Sequence, residues 1–132
     1  MRIIRKLLPA IAASLLFLTG CGKYSSRYDA VAFVHSNLSD SAYMTFSSFK
    51  GTMVFTLENE KGTEGKLRYN ASLGSGSAEV WCDRSGTKEK LCSLRSGDSI
   101  PSREFTLSGE DVYVIVETDG ECTDGDLRFE IL

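Results

Sequence analysis

Along most of the chain after residue 40, apolar and polar side chains alternate with a period of two. Met44 and Phe46 alternate with polar neighbours up to Phe49-Lys50-Gly51, and Met53, Phe55 and Leu57 follow before the polar stretch 58–65. Leu67, Tyr69, Ala71 and Leu73 share one face of the next segment, which Gly74-Ser75-Gly76 turns. Ala78, Val80 and Cys82 line another, ended by Asp83-Arg84-Ser85-Gly86. Leu91 to Leu94 reads as a short strand before Ser96-Gly97-Asp98. Phe105 and Leu107 mark one before Ser108-Gly109, and Leu127, Phe129 and Ile131 alternate in the last. Successive side chains of a strand point to opposite faces, so each segment presents one apolar face to a core. Turn signals at roughly 8–12-residue spacing then predict an all-β antiparallel β-sandwich of seven to eight short strands. No window after residue 40 carries the 3.6-residue stripe of a helix. Val112-Tyr113-Val114-Ile115-Val116 is apolar on both faces, which predicts a central strand covered on both sides, or one whose outer face meets a loop or partner.

The N-terminal residues follow another pattern. Arg2, Arg5 and Lys6 precede an apolar run of 12 residues from Leu7 to Leu18, interrupted by Pro9. A membrane-spanning helix needs roughly 20 such residues, so the run reads as a secretory signal peptide. Leu18-Thr19-Gly20-Cys21 resembles the lipobox of bacterial lipoproteins. That resemblance implies a diacylglyceryl group on the Cys21 thiol and cleavage just before it. Residues 1–20 are then the cleaved signal peptide, 21–41 the lipidated cysteine and a serine-rich tether, and 42–132 the β-sandwich domain. Within the tether, Val31 and Phe33, with Tyr28 and Leu38, are candidates for an early strand or a helical turn. Two or more acyl chains make membrane attachment stable, which gives an extracytoplasmic protein held on the cell membrane.

From Phe49 to Leu132 the chain is similar to a group of small secreted lipoproteins of Gram-positive bacteria with no assigned activity. The resemblance rests on Phe49-Lys50-Gly51-Thr52, Arg68-Tyr69, Ser75-Gly76-Ser77, Asp83-Arg84-Ser85-Gly86, Phe105-Thr106-Leu107 and the stretch from Gly109 to Val116. It implies a jelly-roll-like sandwich and carries no reaction, because these motifs are turns and core alternation.

Charge and chemistry narrow the function further. The 132 residues carry 15 Lys and Arg against 18 Asp and Glu, and cleavage would remove three of the basic residues, leaving about −6 on the mature chain. Such an acidic surface argues against nucleic acid and against electrostatic docking on anionic lipid. The single histidine, His35, lies outside any nucleophile or zinc motif, and nothing pairs two carboxylates across a cleft. The expectation is a non-enzyme with no cofactor beyond the lipid on Cys21. Its partners would be an envelope protein or polysaccharide.

Cys82 and Cys92 are symmetric about Thr87, where a hairpin would turn, and are expected to form a disulfide. Cys122 is left over, and pairings that involve it are the alternative. Two ligand sites are candidates. Asp119, Glu121, Asp124 and Asp126 offer hard oxygens for calcium in a turn that does not match the EF-hand spacing, against the reading of a solvated acidic turn. Trp81, the only tryptophan, alternates with Val80 and Cys82 and so falls on the outer face beside Glu79. There it is either a platform for a sugar ring or partner side chain, or is covered by a loop or the N-terminal segment.

Overall fold

The computed structural model describes residues 24–60 and 62–132. The expected signal peptide and the expected lipidation at Cys21 lie outside the described residues. These form nine antiparallel strands: β1 (Arg27–Val31), β2 (Val34–Asn37), β3 (Ser41–Leu57), β4 (Gly65–Ser75), β5 (Ser77–Arg84), β6 (Thr87–Arg95), β7 (Ser99–Leu107), β8 (Val112–Thr118) and β9 (Cys122–Ile131). The fold is all-β, as the alternation and turn spacing predicted, and jelly-roll-like, as the resemblance implied, with nine strands where seven to eight were expected.

The strands are consecutive pieces of long ribbons that bend at a common corner. β1 and β2 follow one another along one side of β3, from Arg27 opposite Thr52 to Asn37 opposite Ala42. β8 and β9 do the same along its other side, from Val112 opposite Leu57 to Glu130 opposite Ser41. β5 and β4 then flank β8 and β9, and β6 and β7 flank those in turn. Two halves result, β2-β3-β9-β4-β7 and β1-β3-β8-β5-β6, joined through the corner and facing each other across one core. Phe55 of one half meets Phe129 of the other with ring centroids 5.9 Å apart. The Tyr69 hydroxyl crosses from β4 to donate to the Leu91 carbonyl on β6 at 3.2 Å.

The corner explains where the strand pattern departs from expectation. The segments ending at Phe46 and starting at Met53 are one 17-residue strand. Ala42, Met44 and Phe46 are buried, then the buried parity slips to Phe49, Met53, Phe55 and Leu57. A one-residue slip exchanges the faces of a strand, so the change of parity at the bend keeps apolar side chains inward in both halves. Gly74-Ser75-Gly76 is likewise a corner: β4 and β5 pair with β9 and β8 rather than with each other. Gly76 takes φ 101°, and a Cβ there would lie 2.7 Å from the Cys122 Sγ.

The stretch from Arg27 to Asn37, placed in the tether with an early strand or a helical turn as candidates, takes the strand alternative and completes the sheet. Beyond it, the open edge of β3 is closed by side chains. Asn37 accepts from the Thr56 N–H at 3.0 Å and donates to the Thr56 carbonyl at 2.8 Å, and the Ser26 hydroxyl accepts from the Val54 N–H at 2.9 Å. Occupied backbone groups cannot pair with a foreign strand.

Candidate functional site

The outer face of the β5-β6-β8 layer carries the most distinctive chemistry. On β5, Ala78, Val80 and Cys82 are buried in the core. Alternation then turns Glu79, Trp81 and Asp83 outward. On β8 the outward residues are Tyr113, Ile115 and Glu117, opposite Asp83, Trp81 and Glu79 respectively. A bulge between Val80 and Trp81 sets Lys90 opposite Trp81 and Lys88 opposite Asp83. Ile115 is only 1% exposed although it lies outside the main core. The both-sided burial expected of Val112–Val116 is present.

Trp81 is half-buried on this face. The Lys88 ammonium stands 4.6 Å from its ring centroid and that of Lys90 5.5 Å, within range for cation–π attraction. Lys90 also pairs with Glu79 at 3.1 Å, and Lys88 approaches Glu117 at 3.8 Å. The indole Nε1 is buried and has no hydrogen-bond partner among the described residues. Beside it, Thr52, Ser77, Glu79, Glu117, Thr118 and Asp119 line an open polar cleft at the corner. The arrangement offers an aromatic surface, two ammonium groups and two carboxylates within reach of one another.

The N-terminal arm reaches the same face. Tyr24 packs edge-on against Tyr113 with centroids 5.3 Å apart, and its hydroxyl donates to Asp83 Oδ2. Asp83 is 2% exposed and accepts at Oδ1 from the Gly86 N–H at 2.9 Å. Deprotonating Tyr24 would destroy its hydrogen bond and set two anions together, so its pKa is pushed up to about 12. The arm therefore covers the Asp83–Tyr113 end of the face, beside Trp81.

The other sequence-derived sites fare differently. The expected Cys82–Cys92 disulfide is absent: Cys82, Cys92 and Cys122 are buried free thiols. The hairpin is tighter than a turn at Thr87 allows. Ser85 and Gly86, with φ 53° and 87°, form a two-residue turn, the geometry that matches strand twist. Cys82 then faces Glu89, and Cys92 faces Val80. Burial pushes the Cys82 thiol up to about 12, that of Cys92 to about 11, and that of Cys122 upward. The Cys122 Sγ donates to the Ser77 carbonyl at 3.3 Å.

Asp119, Glu121, Asp124 and Asp126 are not brought together, and no group of three or more potential ligands forms a metal site among the described residues. Asp119 lines the cleft, whereas Asp126 pairs with Arg128 at 2.9 Å. His35 is exposed on β2 and stacks on Phe33 with centroids 4.7 Å apart. Sequence reasoning had the outward Trp81 and Glu79 but missed Lys88, Lys90 and Tyr24. The basic pair Lys88 and Lys90, spaced to share a face, was the available signal.

No family model and no curated protein matches this chain. Solved structures with overall likeness include the cupin domain of Drosophila melanogaster CENP-C, at 15% identity and TM-score 0.34, covering 81% of this chain and 70% of that one. A family 29 carbohydrate-binding module variant follows at 10% identity and TM-score 0.38, covering 81% and 83%. A cupin superfamily protein of Desulfitobacterium hafniense has 13% identity and TM-score 0.31, covering 86% and 84%. At these scores the likeness is one of general β architecture, and it assigns neither family nor activity.

Proposed function

We propose that this chain is a lipid-anchored extracytoplasmic lipoprotein of the bacterial cell envelope, acting as a non-catalytic binding module through the Trp81 face. The observation that carries the binding face is a half-buried tryptophan outside the core, set among Lys88, Lys90, Glu79 and Glu117. An aromatic surface stacks on the apolar face of a sugar ring, and paired donors and acceptors around it meet hydroxyl groups. An envelope polysaccharide is therefore the ligand class the face fits best. Support for the anchor is the basic start, apolar run and Leu18-Thr19-Gly20-Cys21 in that order.

The test uses the chain from residue 23 to 132 against a panel of envelope polysaccharides, beside Trp81→Ala. Retained folding with lost binding is the expected result. Equal binding by both proteins would remove the face from the function. Binding to an envelope protein and to no glycan would replace the ligand class.

A further inference from the structure

The N-terminal arm lies against the Trp81 face. Tyr24 is fixed on that face twice, by its ring against Tyr113 and by its hydroxyl on the buried carboxylate of Asp83. Ser26 continues the attachment through the Val54 N–H. Only three peptide steps separate Tyr24 from Cys21. An extended chain spans at most about 3.6 Å per residue, so the Cys21 Cα lies within about 11 Å of the Tyr24 Cα. A tether running from 21 to 41 could carry the anchor far from the domain; three residues from a pinned tyrosine keep it within that reach.

Resting on the proposed anchor and binding face, we infer that Tyr24 holds the Trp81 face toward the bilayer, so that its ligand is the saccharide head of a lipid carried on the same leaflet. The opposite outer face, where Arg68 pairs with Glu130 at 2.7 Å, looks away from the membrane. The chemistry of the Trp81 face agrees with this position. Indole and lysine side chains are suited to the headgroup layer, where an apolar body meets a wet polar end. Lysines interleaved with Glu79 and Glu117 suit a neutral glycan better than an anionic lipid surface, which this acidic chain would repel. A distant wall polymer would have to reach around the domain to meet a face held against the membrane.

The experiment takes the full chain, processed and lipidated by a bacterial host, into phosphatidylcholine vesicles with and without a monohexosyl diacylglycerol. The mass of the N-terminal peptide reads lipidation first, and an unlipidated N-terminus would overturn both the anchor and this orientation. A fluorophore is placed at Lys88→Cys or, separately, at Glu130→Cys; the native thiols at 82, 92 and 122 are buried and do not compete. Headgroup-quencher lipids are expected to quench the label at position 88 strongly and that at 130 weakly, with Tyr24→Ala erasing the difference. Trp81 emission, read on the unlabelled chain with Lys88 in place, is expected to shift only when the glycolipid is present. Equal quenching at 88 and 130 would overturn the orientation. Stronger quenching at 88 without a glycolipid response, while soluble polysaccharide binds, would overturn the lipid-borne ligand and leave the binding module standing.

Discussion

The two outer faces of the sandwich are built from the same alternating strands and do opposite things with the residues they turn outward. On the β2-β3-β9-β4-β7 half, charges pair with one another: Arg68 with Glu130 at 2.7 Å and Lys66 with Glu104 at 3.2 Å between strands, and Arg128 with Asp126 at 2.9 Å along β9. These groups are half-exposed and complete in themselves. On the β1-β3-β8-β5-β6 half, Ile115 is buried and Tyr24 reaches across from the arm. There the lysines serve both the indole and the carboxylates, while one indole N–H stays unpaired. A face that is already satisfied keeps a protein soluble. A face that keeps a half-buried indole among shared charges has something left to bind.

Removing the buried residue should separate the faces most. Ile115→Ala is expected to destabilise by about 2–5 kcal/mol, the cost of truncating an enclosed isoleucine, as measured by urea unfolding. A loss below 1 kcal/mol would mean that the Trp81 face is not packed.

Next comes the arm. Tyr24→Phe removes the hydroxyl that meets the buried Asp83 carboxylate and should cost about 1–3 kcal/mol. The same bond predicts a pH dependence. The tyrosine pKa is higher folded, at about 12, than its ordinary value of 10. Its contribution is therefore full below about pH 10 and is lost as pH rises through about 12. The phenylalanine variant should lack that loss, and identical alkaline melts would contradict the contact.

The opposite face should respond least. Arg68→Ala breaks an exposed, solvent-screened pair and is expected to leave the urea midpoint almost unchanged. The thiols sharpen the picture from inside. With Cys82, Cys92 and Cys122 free and buried, reductant should leave the melting temperature unchanged. A thiol reagent should react only after unfolding, since raised pKa and burial both suppress thiolate attack.

How much of this was legible in the sequence depended on whether a feature is local. Leu67-Tyr69-Ala71-Leu73 and Ala78-Val80-Cys82 announced their strands and their inward faces, because period two is set by the backbone alone. The outward position of Trp81 followed from the same rule. The unity of β3 did not, since the parity slip after Phe46 imitates a strand end. Gly76 was misread as a reversal because a corner and a hairpin use the same glycine; distant β8 and β9 decide which it is. The Cys82–Cys92 pairing failed on a turn centred between Ser85 and Gly86 rather than at Thr87, which slides one strand past the other. β1 and β2, mostly exposed, offered no clean alternation at all. The Tyr24–Asp83 contact joins residues 59 apart, beyond the reach of any spacing rule.

The central claim is that the Trp81 face is where this protein binds. Tryptophan emission titrated with envelope polysaccharides and glycolipid vesicles tests it most directly, because Trp81 is the sole tryptophan and reports from the proposed site. A saturable shift in emission, lost when Lys88 and Lys90 are both changed to Ala in a folded protein, is the predicted result. Ligand binding that leaves the Trp81 emission unmoved would contradict the account.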